Sequence, residues 1–253
     1  MEFTTKDILH RSELLMGDDI MQDIAAQRVI LFGVGGVGSW CAESLIRSGI
    51  MHLTIVDFDC VSISNINRQL MATTRTIGQA KTTVLRERLL SINPNAEIIA
   101  IQGTYSAETR DDYNLSQYNV IIDAIDSLKD KADLIRTATR IKHVTFVSSM
   151  GAAFKIDPSR IHTAEFWSVT GDPLARALRQ RFKREKQFPA HKFQCVYSDE
   201  LLSNRGANHT CPTEQQKPTN GTVVHITAIF GFTLAGLVIQ ELYRKGVKQA
   251  SIN

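Results

Sequence analysis

The feature that most constrains this chain is a run of four glycines within six residues, Gly33-Val34-Gly35-Gly36-Val37-Gly38, directly behind the apolar stretch Arg28–Phe32. The apolar stretch reads as a strand, and helical spacing follows over 39–48. A glycine turn between a strand and a helix lets the chain reverse tightly. It also brings backbone amides, at the positive end of the helix, within reach of phosphate. Asp57 stands 19 residues beyond Gly38, at the end of a second apolar run over 53–56. A carboxylate there accepts hydrogen bonds from ribose hydroxyls. Together these residues predict a nucleotide site, in preference to a purely structural glycine turn.

The same alternation continues along the chain. Ala80, Val84, Leu85, Leu89 and Ile92 recur at helical spacing within 79–92, and Asn93-Pro94-Asn95 is a turn. Strands are expected over Glu97–Ile101, 119–122 and 144–148, with a helix over 128–141 between the last two. Alternation of this kind predicts an α/β fold, a Rossmann-like doubly wound and mostly parallel sheet covered on both faces. The proline-rich region 152–220 alternates little and carries one charged helical stretch over 174–186. It reads as an inserted crossover or lid over the C-terminal edge of the sheet, partly mobile. The expected organisation is one unit over 1–253, with a nucleotide-binding core at 8–150, the insertion at 152–220 and a C-terminal helix at 222–245.

Composition narrows the function classes. Of 253 residues, 43% are hydrophobic and 22% charged, which excludes a disordered chain. The net charge of +3 is compatible with a nucleic-acid partner without demanding one. Residues 1–16 hold no continuous apolar stretch, so no secretory signal is expected. Cys41, Cys60, Cys195 and Cys211 form no Cys-x-x-Cys pair, which removes the usual structural zinc signature and suggests a reducing cytoplasm. The apolar segment 222–243 is just long enough to span a membrane, but His225, Thr227, Gly231, Thr233 and Gly236 interrupt it. A buried core or dimer-interface helix is the better reading, with Arg244 and Lys245 at its end and Gly246 as its stop signal.

The choice of nucleotide turns on charge. Arg68 falls near the nucleotide end of the sheet and Lys81 on the next helix. Hydride transfer from a nicotinamide has no need of both. Displacement at a triphosphate does, because negative charge builds on the leaving pyrophosphate. The fourth strand runs into Asp123-Ala124-Ile125-Asp126-Ser127. A carboxylate at that position can hold Mg²⁺ against triphosphate oxygens. Asp126 or Ser127 can equally cap the following helix, and the two roles can coexist.

Gly33 to Gly38, Asp57 with Asp59, Asn65 with Asn67-Arg68-Gln69, Lys81, and Asp123-Ala124 with Asp126 occur in an order and spacing that resembles the ubiquitin-activating, E1-like adenylating superfamily. The resemblance covers 8–150. In that family ATP adenylates a carboxylate and releases pyrophosphate. The resemblance implies that Gly33, Gly35, Gly36 and Gly38 approach the phosphates and that Asp57 binds ribose. It implies that Arg68 and Lys81 stabilise the triphosphate and that Asp126 positions the metal. Asp59, Asn65, Gln69, Asp123 and Ser127 join the expected ATP site on the same ground. Arg11, six residues before Gly17, matches the arginine that related homodimers insert into the partner's active site. A homodimer with Arg11 acting in trans is therefore expected. Its bland counterpart is an exposed helix charge.

Some branches of that superfamily form a thioester on a cysteine in the crossover. Cys195 and Cys211, near His191 and His209, keep that option open, with an unreactive thiol the simpler reading. The second half favours another branch. Ile156-Asp157-Pro158-Ser159-Arg160-Ile161, Asp172-Pro173-Leu174-Ala175 and Cys195-Val196-Tyr197-Ser198 with Glu200 resemble the tRNA threonylcarbamoyladenosine dehydratases, over nearly the whole chain. That resemblance implies adenylation of the threonylcarbamoyl carboxylate beside the tRNA anticodon, then ring closure with loss of AMP. A tRNA partner suits Arg176, Arg179, Lys183 and Lys186, which recur every three or four residues in a stretch of six cations and one anion. A solvated helix face is the alternative. Phe166, Trp167 and Phe188 are candidates for stacking on bases. The competing function is adenylation of the C-terminus of a small ubiquitin-like or sulfur-carrier protein, which leaves a cysteine desulfurase or sulfur acceptor open as a partner. Membrane association is not expected.

Overall fold

The structure, a computed structural model, describes residues 4–206 and 220–250. The chain opens with α1 (Thr5–Met16) and α2 (Asp18–Ala25), and then β1 (Arg28–Phe32) leads through the glycine turn into α3 (Gly38–Arg47). Next come β2 (His52–Val56), α4 (Lys81–Ile92), β3 (Glu97–Ile101), β4 (Val120–Asp123), α5 (Leu128–Ala138) and β5 (Thr145–Ser149). The remainder holds β6 (Ile161–Glu165), α6 (Pro173–Glu185), β7 (Gln194–Ser198) and α7 (Val224–Ala250).

One seven-stranded sheet runs in the order β3-β2-β1-β4-β5-β7-β6, and every pairing is parallel except that of β6 with β7. Residues alternate between two cores. Val29, Leu31, Leu53, Ile55, Val120 and Ile122 belong to one. Ile30, Phe32, Val56, Ile121 and Phe146 belong to the other. Burial on both faces is why these strands read as continuous apolar runs. The order reverses at β1, which pairs with β2 on one side and β4 on the other. A doubly wound sheet opens a crevice at its C-terminal edge at such a reversal.

Two sequence expectations change here. The 152–220 region is not simply a lid, because it supplies β6 and β7, which extend the sheet beyond β5. Alternation concealed them. β6 is an edge strand with no strict in–out pattern, and β7, Gln-Cys-Val-Tyr-Ser, is buried through residues of middling hydrophobicity. Gly246 does not stop the last helix, which continues to Ala250. A Cβ at Gly246 would lie 2.9 Å from Ile20 Cγ1, so glycine there lets α7 approach α2.

α7 is long and apolar enough to cross a membrane by length and composition, yet half of that apolar window is buried inside the protein. Ile226, Phe230, Leu234, Ala235 and Val238 are fully buried. A Cβ at Gly231 would sit 2.5 Å from the Val37 carbonyl oxygen, so α7 lies directly on the start of α3. This is the core-helix reading.

Candidate active site

A cavity of about 620 Å³ follows the C-terminal edge of the sheet, from the loops after β1, β2 and β4 to those after β5 and β7. Sheet register aligns its first wall. Phe32 lies beside Val56 on one side and Asp123 on the other, so the chain leaves all three strands at one level. The first residues beyond are stitched together, Gly33 N–H donating to the Val56 carbonyl at 2.8 Å and Ala124 N–H to the Phe32 carbonyl at 2.8 Å.

The glycines of the turn differ in what they answer to. Gly33 has φ +85°, and a Cβ there would sit 2.6 Å from the Ala124 carbonyl oxygen. A Cβ on Gly38 would lie 1.8 Å from the Gly33 carbonyl oxygen. Both are required by the chain's own packing. Gly35 is unlike them, since the nearest atom to its Cβ position is Gln69 Nε2 at 3.7 Å. Gly33, Gly35 and Gly36 line the cavity, and Gly38 supports the turn from behind.

Asp57 receives Val34 N–H on Oδ2 at 2.8 Å and Asp59 N–H on Oδ1 at 2.9 Å. Each oxygen retains a lone pair for a further donor. Lys81, first residue of α4 and buried, donates Nζ to Asp59 Oδ2 at 2.6 Å. Arg68 donates from Nη1 to the Ser64 carbonyl at 2.8 Å and to Asn67 Oδ1 at 2.9 Å. No carboxylate among the described residues pairs with it, and burial pushes its guanidinium down from its ordinary value without discharging it. Trp40 Nε1 holds the Arg68 carbonyl at 3.0 Å, and the Trp40 ring meets Phe232 of α7. Asn65 accepts Ser62 N–H at 3.0 Å. Gln69 leaves a buried Oε1 with no partner among the described residues.

The Asp123–Ser127 segment separates into two chemistries. Asp126 is exposed, lines the cavity and makes no hydrogen bond among the described residues. Asp123, expected in the ATP site, does not line the cavity. It is fully buried against Lys131, Oδ2 to Nζ at 2.8 Å, and accepts Ser148 Oγ at 2.7 Å. Lys131 also donates to the Ile125 carbonyl at 2.9 Å, so the pair fastens the loop that carries Asp126. Sequence reasoning missed Lys131. The available signal was a lysine beside Ala132, Leu134 and Ile135 on the buried face of α5. Ser127 is the N-cap residue of α5 but makes no capping bond, donating instead to Asp130 Oδ2 at 2.7 Å.

The ThiF family profile matches residues 9–252. This chain belongs to the ThiF family. Among ThiF-family relatives, the tRNA threonylcarbamoyladenosine dehydratase of Haemophilus influenzae is 36% identical, over 90% of each chain. That of Bacillus subtilis is 31% identical, over 92% of this chain and 94% of its own. The crystal structure of Escherichia coli tRNA N6-threonylcarbamoyladenosine dehydratase in complex with ATP superposes with a TM-score of 0.86 at 31% identity, covering 98% of this chain and 100% of that one.

The far end of the cavity in this ThiF-family chain is built from the motifs of the second half. Asp172, buried, is the N-cap of α6 and accepts Ala175 N–H at 2.8 Å and Gly151 N–H at 3.2 Å. Burial raises its carboxyl above the ordinary value, with those amides pulling the other way. Glu200 Oε2 accepts Ile156 N–H at 2.8 Å and Asp157 N–H at 2.9 Å. Lys155 also lines this end, and only its position directly before the Ile156-Asp157-Pro158 motif could have pointed to it.

Other expected residues lie elsewhere. Arg11 is exposed on α1 and does not line the cavity of its own chain. The basic stripe expected over 174–186 divides, since α6 ends at Glu185 and Lys186 is its left-handed C-cap. Arg176, Lys183 and Lys186 are exposed, whereas Arg179 donates to the Phe166 carbonyl at 3.1 Å and sits over the Phe166 ring. Phe166 is fully buried and cannot stack on a base; Trp167 and Phe188 are exposed, with ring centroids 6.2 Å apart. Cys195 is buried in β7 and burial holds its thiol far above the ordinary value, which opposes a thioester role. Cys211 and His209 lie outside the described residues.

Proposed function

We infer that this chain catalyses the ATP-dependent dehydration of N6-threonylcarbamoyladenosine in tRNA, by adenylating the threonylcarbamoyl carboxylate and then closing a ring with release of AMP. The observation that carries the reading is the cavity itself. Its first wall gathers the glycine turn, Asp57, Arg68, Lys81 and Asp126, in a chain whose relatives match it along its length as dehydratases.

In this reading Gly33, Gly35 and Gly36 face the phosphates and Asp57 receives the ribose hydroxyls. Asn65, Gln69 and Ser127, which line the same cavity, supply further polar groups to the nucleotide. Asp59 tethers Lys81, and Lys81 with Arg68 neutralises charge on the departing pyrophosphate. Mg²⁺ fits the donor set, since the ion is commonly held by one or two carboxylates plus phosphate oxygens, and Asp126 presents a free carboxylate to the cavity. When bound, the ion would draw charge from the phosphates.

A substrate carboxylate oxygen attacks the α-phosphorus, the bond to the β-phosphate oxygen breaks, and pyrophosphate leaves with the electron pair. An atom of the carbamoyl group then attacks the acyl carbon, the acyl–oxygen bond to the phosphate breaks, AMP leaves with the electron pair, and a carbamoyl N–H proton passes to solvent. The attacking atom belongs to the same side chain, so the effective molarity is about 10⁵ M or more, and no cysteine relay is needed. The buried Cys195 accords with that economy.

Arg176, Lys183 and Lys186 supply exposed positive charge for tRNA phosphates, with Arg179 positioned behind them. The reading includes a cytoplasmic homodimer with Arg11 acting on the partner's site. Leu14 and Leu15 on α1 and Phe232 and Tyr243 on α7 are exposed apolar groups that such a contact would cover.

The deciding experiment incubates the protein with ATP, Mg²⁺ and tRNA bearing threonylcarbamoyladenosine, then weighs the nucleosides under mild conditions. ATP-dependent loss of one water is the expected result. An unchanged nucleoside alongside demonstrable ATP binding would instead favour a small carrier protein as the adenylated substrate.

A further inference from the structure

Lys155 stands at the end of the cavity away from the glycine turn and is 4% exposed. Its Nζ donates to the Ser198 carbonyl at 3.1 Å and the Glu200 carbonyl at 2.6 Å. Both partners are neutral, and an ammonium has three donors. A buried cation is ordinarily matched by an anion. Here every nearby carboxylate among the described residues is committed elsewhere. Glu200 is taken by the Ile156 and Asp157 amides, Asp199 by Arg160 Nε at 2.8 Å, and Asp172 by the Gly151 and Ala175 amides. None of them forms an ion pair with Lys155.

The backbone is bent to achieve this placement. Phe154, immediately before Lys155, has φ +61°, a left-handed conformation costly for a bulky residue. Two distant segments hold it, with Phe154 N–H donating to the Gly221 carbonyl at 2.9 Å and Leu202 N–H to the Phe154 carbonyl at 2.9 Å. Strain of this kind persists where surrounding structure over-determines it, and it concentrates at ligand sites. Phe154 and Lys155 both line the cavity.

We propose that Lys155 binds the carboxylate of the threonylcarbamoyl group and aims it at the α-phosphate, making this lysine the residue that selects an acidic acceptor. The assignment rests on the dehydratase reading, because that substrate brings a carboxylate free to pair directly with the ammonium, which Asp172, Asp199 and Glu200 nearby do not. One carboxylate oxygen rests against the ammonium while the other is free to attack phosphorus. Burial pushes the Lys155 ammonium down from its ordinary value against the pull of Asp172, Glu200 and Asp199, and an arriving carboxylate adds to that pull.

The test is a double cycle of protein and ligand. Anticodon stem–loops carrying threonylcarbamoyladenosine, or its carboxamide counterpart, are titrated into the protein with a non-hydrolysable ATP analogue present. The wild type is expected to bind the acid at least about tenfold more tightly than the amide. Lys155→Gln should bind both alike while keeping ATP affinity within about twofold of wild type, and Lys155→Met repeats the measurement should the glutamine variant fold poorly. A purely structural lysine would weaken both ligands equally and leave their ratio unchanged. Wild type with a ratio near one, or a Lys155 variant that keeps the wild-type ratio, overturns the proposal. Wild type that fails to dehydrate tRNA at all overturns the dehydratase reading, a result distinct from normal dehydration without a Lys155-dependent ratio.

Discussion

The two walls of the cavity are built by different means. The wall after β1, β2 and β4 is made of turns whose groups are tethered close by, as Asp57 is to Val34 and Asp59 and as Lys81 is to Asp59. Its functional groups keep free valences toward the cavity. The wall after β5 and β7 is cross-linked between segments far apart in the chain, with Lys155 reaching Ser198 and Glu200 and Phe154 reaching Leu202 and Gly221. Nearly all its polar groups are consumed internally. One wall is therefore sensitive to the shape of a turn, and the other to the integrity of a network.

The Asp123–Asp126 segment gives the widest expected contrast, because it holds both behaviours within one loop. Asp126→Ala removes a group with no partner among the described residues, so melting should hardly move while turnover falls by about 10²–10³. Asp123→Ala strands the buried Lys131 charge and should cost about 3–5 kcal/mol of stability. Thermal melting alongside initial rates separates the two, and equal melting losses would erase the contrast.

The glycine turn sharpens the point on a smaller scale. Gly38→Ala drives a Cβ into the Gly33 carbonyl oxygen and should destabilise the fold by about 1–3 kcal/mol or more. Outside its chain neighbours, a Cβ at Gly35 meets no atom of the described residues closer than 3.7 Å, so Gly35→Ala should fold normally and lose ATP affinity. Calorimetric ATP titration paired with denaturant unfolding checks both. Undiminished ATP binding in Gly35→Ala would remove that glycine from the phosphate site.

On α6, replacing both Arg176 and Lys183 by alanine should weaken tRNA affinity and reduce the slope of log K against log salt by about 1–2. Arg179→Ala should act mainly on stability, by about 1 kcal/mol, through the lost contact over the Phe166 ring. An unchanged salt slope in the double variant would take α6 out of tRNA binding.

The smallest effect lies outside the cavity, at Glu43. Burial alone would raise its carboxyl, but hydrogen bonds from Arg88 and Arg47 prevail and hold it below its ordinary 4.5. A depressed carboxyl contributes stability above its unfolded value and loses it as pH falls through the folded one. Glu43→Gln should therefore cost stability at neutral pH and flatten the decline below pH 4.5, as read from urea midpoints across pH. Parallel curves for the two proteins would contradict it.

Much of the first wall was legible in the sequence because its chemistry is local. The glycine turn, Asp57, Arg68, Lys81 and Asp126 all lie at strand ends or helix starts that hydrophobic spacing already located. β6 and β7 were not, since an edge strand and a buried strand carrying Cys195 and Tyr197 leave no clean alternation. Lys131 and Lys155 left only indirect signals, the apolar face of α5 and a neighbouring motif, because residue type alone does not tell a buried lysine from a solvated one.

The sequence by itself determined the parallel α/β sheet, the glycine turn at its edge and the family, because strand periodicity, glycine sterics and motif spacing act over a few residues. Only the tertiary structure decided which way each charge faces. Asp123 is the last residue of β4, in register with Phe32 and Ser148, so its carboxylate is closed inside the sheet against Lys131. Asp126, three residues on, has left the sheet and meets the cavity. Lys155 points inward because Gly221 and Leu202 hold Phe154 in a left-handed turn. Spacing follows from short-range covalent geometry, whereas facing depends on which distant segments pack against a residue, and those contacts exist only once the chain has folded.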